Sequence, residues 1–164
     1  MTCIGRGAVK ATILVVDDSP EIQRYLRTLL ELDSYRVMVA SNGYEALEIL
    51  RHARAADVVL LDVQMPGMDG LEVLRRMRKS CPKVKAIMCS GMNDADKVCR
   101  AFSLGVHAYL LKPIQHLYLS AAVERCLQES SAMRQKEPRK PPQLFLLPSA
   151  IPARHANLVP NFKS

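Results

Sequence analysis

The 164-residue chain has no unbroken apolar run long enough to cross a bilayer. Its N-terminus, MTCIGRGAVKATILVV, lacks the order of basic, apolar and cleavable small-residue regions that marks a signal peptide. Both absences lead to the expectation of a soluble cytoplasmic protein. There is no CxxC pair and no Cys/His cluster at zinc spacing. The five cysteines (Cys3, Cys81, Cys89, Cys99 and Cys126) are odd in number and read as reduced thiols, mostly small core hydrophobes. The four histidines (His52, His107, His116 and His155) share no spacing, which argues against a ligand set, and His116 is expected to face solvent. Glycine is missing altogether from residues 131–164, a stretch that holds six of the ten prolines.

What is present is enough for one folded domain with an appendage. Apolar residues make up 49% of the chain, too many for a disordered protein. The formal charge of +7 is uneven, with +2 over residues 1–130 and +5 over residues 131–164. The basic character therefore belongs to the tail and says little about what the folded part binds.

Residues 11–16 (ATILVV) form an apolar, β-branched run that ends at Asp17-Asp18. Ser19-Pro20 supplies an N-cap and a first helical residue, and Ile22, Tyr25, Leu26, Leu29 and Leu30 then recur at helical spacing as one buried face. A second strand is expected over 35–40. Asn42 with Glu45 resembles a capping box for a helix running to about Ala53. A third strand, 57–61, runs into Asp62 and a Met-Pro-Gly turn, after which Asp69 and Glu72 open another helix. The fourth strand (84–89) precedes a helix from about Asn93 to Leu104, closed by Gly105, and the fifth (107–111) precedes Lys112-Pro113. The last helix carries Leu119, Val123, Cys126 and Leu127 on one face.

Strict alternation of apolar strands with helices implies a doubly wound, five-stranded parallel sheet flanked by five helices, with every strand ending on the same edge. In the flavodoxin-like strand order 2-1-3-4-5, the crevice lies between strands 1 and 3. Asp17 and Asp18 would end strand 1, Asp62 strand 3, Ser90 strand 4 and Lys112 strand 5. The sharp turn after Asp62 would leave that acid exposed at the crevice and rigidly held by its strand.

Three carboxylates at ~4 Å repel by roughly 4 kcal/mol per pair at an effective dielectric of ~20. Such a cluster calls for a cation, and an all-oxygen site suits Mg²⁺ better than zinc. Lys112 adds an ammonium, so the edge carries what phosphoryl transfer needs for charge neutralisation, with one carboxylate available as the nucleophile. Ser90 could donate its hydroxyl to a phosphoryl oxygen. Singly these features have ordinary explanations: an Asp pair before a helix caps it, and a Ser after a strand is loop chemistry. Their strength lies in falling together at the ends of four different strands.

The pieces VVDDSP (15–20), LLDVQMPGMDG (60–70), CSG (89–91) and YLLKP (109–113) resemble, in order and spacing, the receiver domain (CheY-like) of the response regulators of bacterial two-component signalling. The resemblance spans residues 11 to about 128. It implies that Asp62 is the phosphoacceptor and that Asp17, Asp18 and Asp62, with the backbone carbonyl of Gln64, bind Mg²⁺. It further implies that Lys112 contacts the phosphoryl group, that Ser90 and Tyr109 form the switch, and that the Lys112-Pro113 bond is cis. Gln64 and Met92 match positions where receivers vary phosphoryl lifetime, and a Met at 92 leads to the expectation of a long-lived phosphoform. A haloacid-dehalogenase-like phosphatase would need a second Asp at position 64, which is Gln. A flavodoxin-like cofactor binder would need a hydroxyl- and glycine-rich loop after strand 1, where this chain has Asp-Asp-Ser-Pro.

The organisation read from these signals is an extension over 1–10, a receiver over 11–130 and a Pro-rich basic tail or linker over 131–164, expected to be flexible. The tail is too short for a helix-turn-helix or ATPase module, so direct DNA binding is not expected, and its apolar LFLL (144–147) could dock on a partner or back on the receiver. The resemblance implies a sensor histidine kinase or histidine phosphotransfer protein as donor, a downstream protein target, a phosphorylation-dependent homodimer and no membrane partner. The chain would catalyse only its own phosphoryl transfer and dephosphorylation. At 164 residues the preferred reading is a stand-alone receiver. The alternative is the receiver portion of a transcription factor whose output domain is absent, and AAVERCLQ (121–128) is similar to the helix ending of nitrogen-regulator types that precede an ATPase module.

Overall fold

A computed structural model describes residues 9–52, 55–91, 94–132 and 144–145. In chain order the elements are β1 (Thr12–Val16), α1 (Pro20–Leu32), β2 (Arg36–Ala40), α2 (Gly43–Arg51), β3 (Val58–Asp62), α3 (Gly70–Ser80), β4 (Lys85–Ser90), α4 (Ala95–Ser103), β5 (Ala108–Leu111), α5 (His116–Ala132) and β6 (Leu144–Phe145). The sheet is parallel throughout, in the order β2-β1-β3-β4-β5-β6. The first five strands follow the expected 2-1-3-4-5 order. The sixth was not among the five expected, and it comes from the tail.

Because helices cover both faces, strand residues are apolar on both sides rather than alternating with polar ones. Leu14, Val16, Val59, Leu61, Ala86, Met88 and Tyr109 enter one core with Leu50, Leu74, Met77 and Ala101. Their neighbours Ile13, Val15, Val58, Leu60, Ile87, Cys89, Ala108 and Leu110 enter the other, with Leu26, Leu30, Leu119, Val123 and Cys126. Each fully buried aliphatic side chain contributes on the order of 1.5–3 kcal/mol, so the central strands are the most firmly fixed part of the molecule.

The helix starts are set by the residues that sequence chemistry singles out. Ser19 accepts from the Ile22 amide at 3.4 Å with Pro20 in the first turn. Asn42 accepts from the Glu45 amide at 2.9 Å. Glu45 reaches back to the Ser41 amide at 2.7 Å, one residue before the cap, so the box is stretched by a position. Asp94 caps α4 through the amides of Asp96 and Lys97, and Gly105 follows that helix at φ +79°.

Two expectations change, and one holds with an addition. Tyr25 is not on the buried face: it is 46% exposed, and its hydroxyl donates to the Ile114 carbonyl at 2.7 Å, tying α1 to the segment before α5. His116 is exposed as expected but is engaged, its Nε2 lying 3.0 Å from Asp33 Oδ2. Of the four described cysteines, Cys89 and Cys126 are buried, Cys81 is half-buried and Cys99 is exposed. Ala53, Met92, Asn93, Cys3 and His155 lie outside the described residues, as do residues 1–8, 133–143 and 146–164. Among the described residues no helix is long and apolar enough to cross a membrane.

Candidate phosphoryl-transfer site

Register brings the site together. Val16 pairs with Leu61, so Asp17 and Asp62 leave adjacent strands side by side. Asp62 pairs with Cys89 and Ser90 with Leu111, which sets Ser90 and then Lys112 at the same edge. The Lys112 amide donates to the Ser90 carbonyl at 2.8 Å, locking the ends of β4 and β5 together. The Lys112-Pro113 bond is cis.

The loop after Asp62 is held close to it. The Val63 amide donates to Cys89 O at 2.9 Å and the Gly70 amide to Val63 O at 3.0 Å, so the chain leaves the strand, turns and returns within seven residues. Gly67 provides the turn at φ +80°. Gly70 is needed for a different reason: a Cβ there would stand 2.1 Å from the Asp62 carbonyl oxygen. Asp69 then caps α3 by accepting from the Glu72 amide at 2.8 Å.

One oxygen from each of Asp17, Asp18 and Asp62 lies within 4.8 Å of the others. Lys112 Nζ stands 2.7 Å from Asp17 Oδ2 and 3.1 Å from Asp62 Oδ1. Asp17 is further fixed by accepting from the Ser19 amide at 2.9 Å, while its carbonyl accepts from Gln23 Nε2 at 2.6 Å. One ammonium against three carboxylates leaves the cluster negative. The all-oxygen donor set fits a magnesium ion and offers nothing to a metal that prefers nitrogen or sulfur.

Burial shapes the chemistry of each group. It pushes the Asp62 carboxyl above the usual carboxylate range; Lys112 opposes that push, Asp17 adds to it, and a backbone hydrogen bond from Gln64 opposes it. Burial also works against the charge on Lys112, but the hydrogen bond to Asp17 and the charge of Asp62 outweigh it and raise the ammonium above its ordinary value. The Cys89 thiol, beside Asp62 in sequence register, is pushed up to about 12 by burial and stays protonated. The expectation that Asp62 sits exposed needs correction. It is 5% accessible, at the floor of the crevice, and Asp18 is the carboxylate that meets solvent.

Ser90 is buried at the same edge. Tyr109 is fully buried, and its hydroxyl has no partner of ordinary hydrogen-bond geometry among the described residues. Burial raises its pKa, and only the proximity of Ser90 offsets part of that rise. A phenol kept under an incomplete bond beside Ser90 is a group with something to gain from movement there.

Gln64 is exposed and lines a cavity of about 480 Å³ next to the acid cluster, with Asp18, Val63, Met65, Pro66, Asp69, Leu71 and Lys97. Lys97 and Gln23 were not picked out from sequence. A lysine in the first turn of a helix reads as solvated by default, and a glutamine that braces a backbone carbonyl carries no motif.

Residues 13–124 match the family description "Response regulator receiver domain". A probable transcriptional regulator, ycf27, from Guillardia theta is 34% identical over 122 residues, covering 74% of this chain and 47% of that protein. The chain spans about half the length of the ycf27 relatives it matches. Among solved structures, a receiver domain protein from Clostridium thermocellum aligns with a TM-score of 0.71 at 33% identity, over 75% of this chain and 98% of that one. A CheY-like receiver domain protein from Methanospirillum hungatei aligns with a TM-score of 0.71 at 28% identity, over 74% and 97%. With the family description matched over most of the folded part and the strand order in agreement, the chain belongs to the response regulator receiver domains.

Proposed function

We propose that this receiver accepts a phosphoryl group on Asp62 from a sensor histidine kinase or a histidine phosphotransfer protein, and that the modification changes its contacts with another protein. The observation that carries the reading is the convergence of Asp17, Asp18 and Asp62 within 4.8 Å, with Lys112 Nζ at 3.1 Å from the proposed nucleophile. An Asp62 oxygen attacks the phosphorus of the donor phosphohistidine. A P–O bond forms as the P–N bond breaks, and the released imidazole nitrogen is protonated from solvent, leaving an acyl phosphate. Asp17, Asp18 and Asp62, with the Gln64 backbone carbonyl, would hold Mg²⁺, which when bound neutralises charge on the phosphoryl oxygens.

This chain's own residues do the rest. Lys112 favours the ionised form of Asp62 against its burial and pairs with the incoming phosphoryl oxygens. Ser90 donates its hydroxyl to one of them. Its shift inward opens space for rearrangement at Tyr109, already on the inner side, and alters the face made by α4, β5 and α5 for a target or a second copy. The activity is limited to the chain's own phosphorylation and dephosphorylation, and the place of action is the cytoplasm.

The relatives' greater length and the likeness to ycf27, a probable transcriptional regulator, favour a second reading of the output, a receiver that controls a DNA-binding or ATPase domain. A reading frame continuing beyond Ser164 would decide for it.

The test is intact mass after incubation with Mg²⁺ and acetyl phosphate. One phosphoryl group should add to the wild type, dependent on Mg²⁺, and none to Asp62→Asn. An equal adduct on Asp62→Asn would reject the assignment. Ser90→Ala should keep the adduct while weakening the response to it.

A further inference from the structure

The two long edges of a five-stranded version of this sheet would be β2 and β5, and they are protected very differently. β2 begins with the exposed Arg36, a charged residue of the kind that discourages strand addition. β5 reads Ala-Tyr-Leu-Leu, with no charge, proline or glycine before Lys112. Bare backbone along so apolar a strand is a template for another chain. In the structure β5 is not bare: β6 lies against it in parallel, with Leu144 opposite Tyr109 and Phe145 opposite Leu110.

Parallel pairing within one chain requires a crossover of a dozen residues or more, commonly carrying a helix. The stretch from β5 to β6 contains α5 and so meets that requirement, making β5, α5 and β6 a final strand-helix-strand unit. A tethered strand also acts at an effective concentration on the order of mM, far above that of a free competitor.

We propose that the β5 edge is a strand-addition site whose resident occupant is this chain's own tail segment Leu144–Phe145. The segment closes an edge that, among the described residues, has no charge, proline or glycine of its own to protect it. It pairs at Tyr109, so a partner that adds a strand to β5 has to displace it first, and displacement and occupancy are linked in both directions. The inference stands on backbone pairing and does not depend on phosphoryl transfer.

Hydrogen exchange on the full chain tests it, read on peptides covering residues 107–112, with residues 12–16 in β1 as the internal control for folding. The comparison is between wild type, the charged double variant Leu144→Asp/Phe145→Asp, and the strand-compatible double variant Leu144→Val/Phe145→Ile. In the charged variant the β5 amides that face β6 should exchange about five- to tenfold faster, with β1 unchanged and the strand-compatible variant behaving as wild type. Equal β5 rates in all three proteins would overturn the proposal. Wild-type protection that fades on dilution would overturn it as well, since the strand would then come from a second copy.

Discussion

The two ends of the sheet use the same residue types to opposite effect. At the end where the strands begin, Asp57 accepts from the Thr12 amide at 2.8 Å, so its carboxylate joins β1 to β3. Arg78, half-buried, donates to Val84 O at 2.7 Å, Gly105 O at 2.9 Å and Leu104 O at 3.2 Å, tying the approaches to β4 and β5. Both of these charges are answered by backbone. At the end where the strands finish, carboxylates face other carboxylates, and one lysine serves two of them. Buried or half-buried charge is therefore no mark of function in this fold. The mark is a cluster in which three like charges share one counter-charge, an arrangement that costs stability and persists because the strand ends impose it.

The largest expected effect comes from disturbing the imposed geometry itself. In Gly70→Ala the new methyl group would meet the Asp62 carbonyl at 2.1 Å, with backbone on both sides of the clash. A loss of roughly 3 kcal/mol in urea unfolding is expected, together with a slower rate of phosphoryl addition by intact mass. Wild-type stability in this variant would mean that the turn tolerates displacement and does not hold Asp62. Next in size is Arg78→Ala at the opposite end. Three carbonyls lose a charged donor, and roughly 2 kcal/mol should be lost in the same measurement. Here phosphorylation should proceed normally in the folded fraction, because no atom of the crevice is touched.

The contrast between the ends is sharpest in a paired experiment. Asp57→Ala should cost about 1 kcal/mol, since the Thr12 amide loses its acceptor. Asp18→Asn should do the reverse without divalent ions, raising stability by about 1 kcal/mol through relief of repulsion. It should also shrink the stabilisation gained on adding Mg²⁺. Destabilisation by both would show that the acid cluster is as well compensated as the far end, against the argument above.

These distinctions bear on how much could be read in advance. Strand order, helix caps and the edge carrying Asp17, Asp62, Ser90 and Lys112 were legible because hydrophobic period and strand-end position are local facts. Tyr25 misled because helical spacing reports a face but not the polar end of a side chain that can reach the Ile114 carbonyl. The depth of Asp62 was missed because a turn signals proximity to the surface, while accessibility depends on what the neighbouring strands bring. Gln23 and Lys97 left no signal, since each is a helix residue whose role comes from the loops it meets only in three dimensions. LFLL stood out as apolar, but pairing with β5 is a long-range event that no local pattern encodes.

The smallest effect concerns a carboxylate that belongs to neither end. Asp33 joins α1 to α5, accepting a hydrogen bond from Ser120 and pairing with His116 at 3.0 Å. Burial works against its ionisation, but the Ser120 and His116 interactions prevail and lower its pKa below 3.8, opposite to the shift of Asp62. A depressed folded-state value means that the unfolded chain takes up the proton first. The stabilisation is thus complete above the ordinary carboxylate range and disappears as pH falls below 3.8 through the folded-state value. Asp33→Asn should be less stable than wild type by about 0.5 kcal/mol near neutrality, a modest figure because the pair is partly exposed. The two unfolding curves should converge in acid. A gap that persists at low pH would assign the difference to shape and neutral hydrogen bonding at the α1–α5 contact instead of to charge.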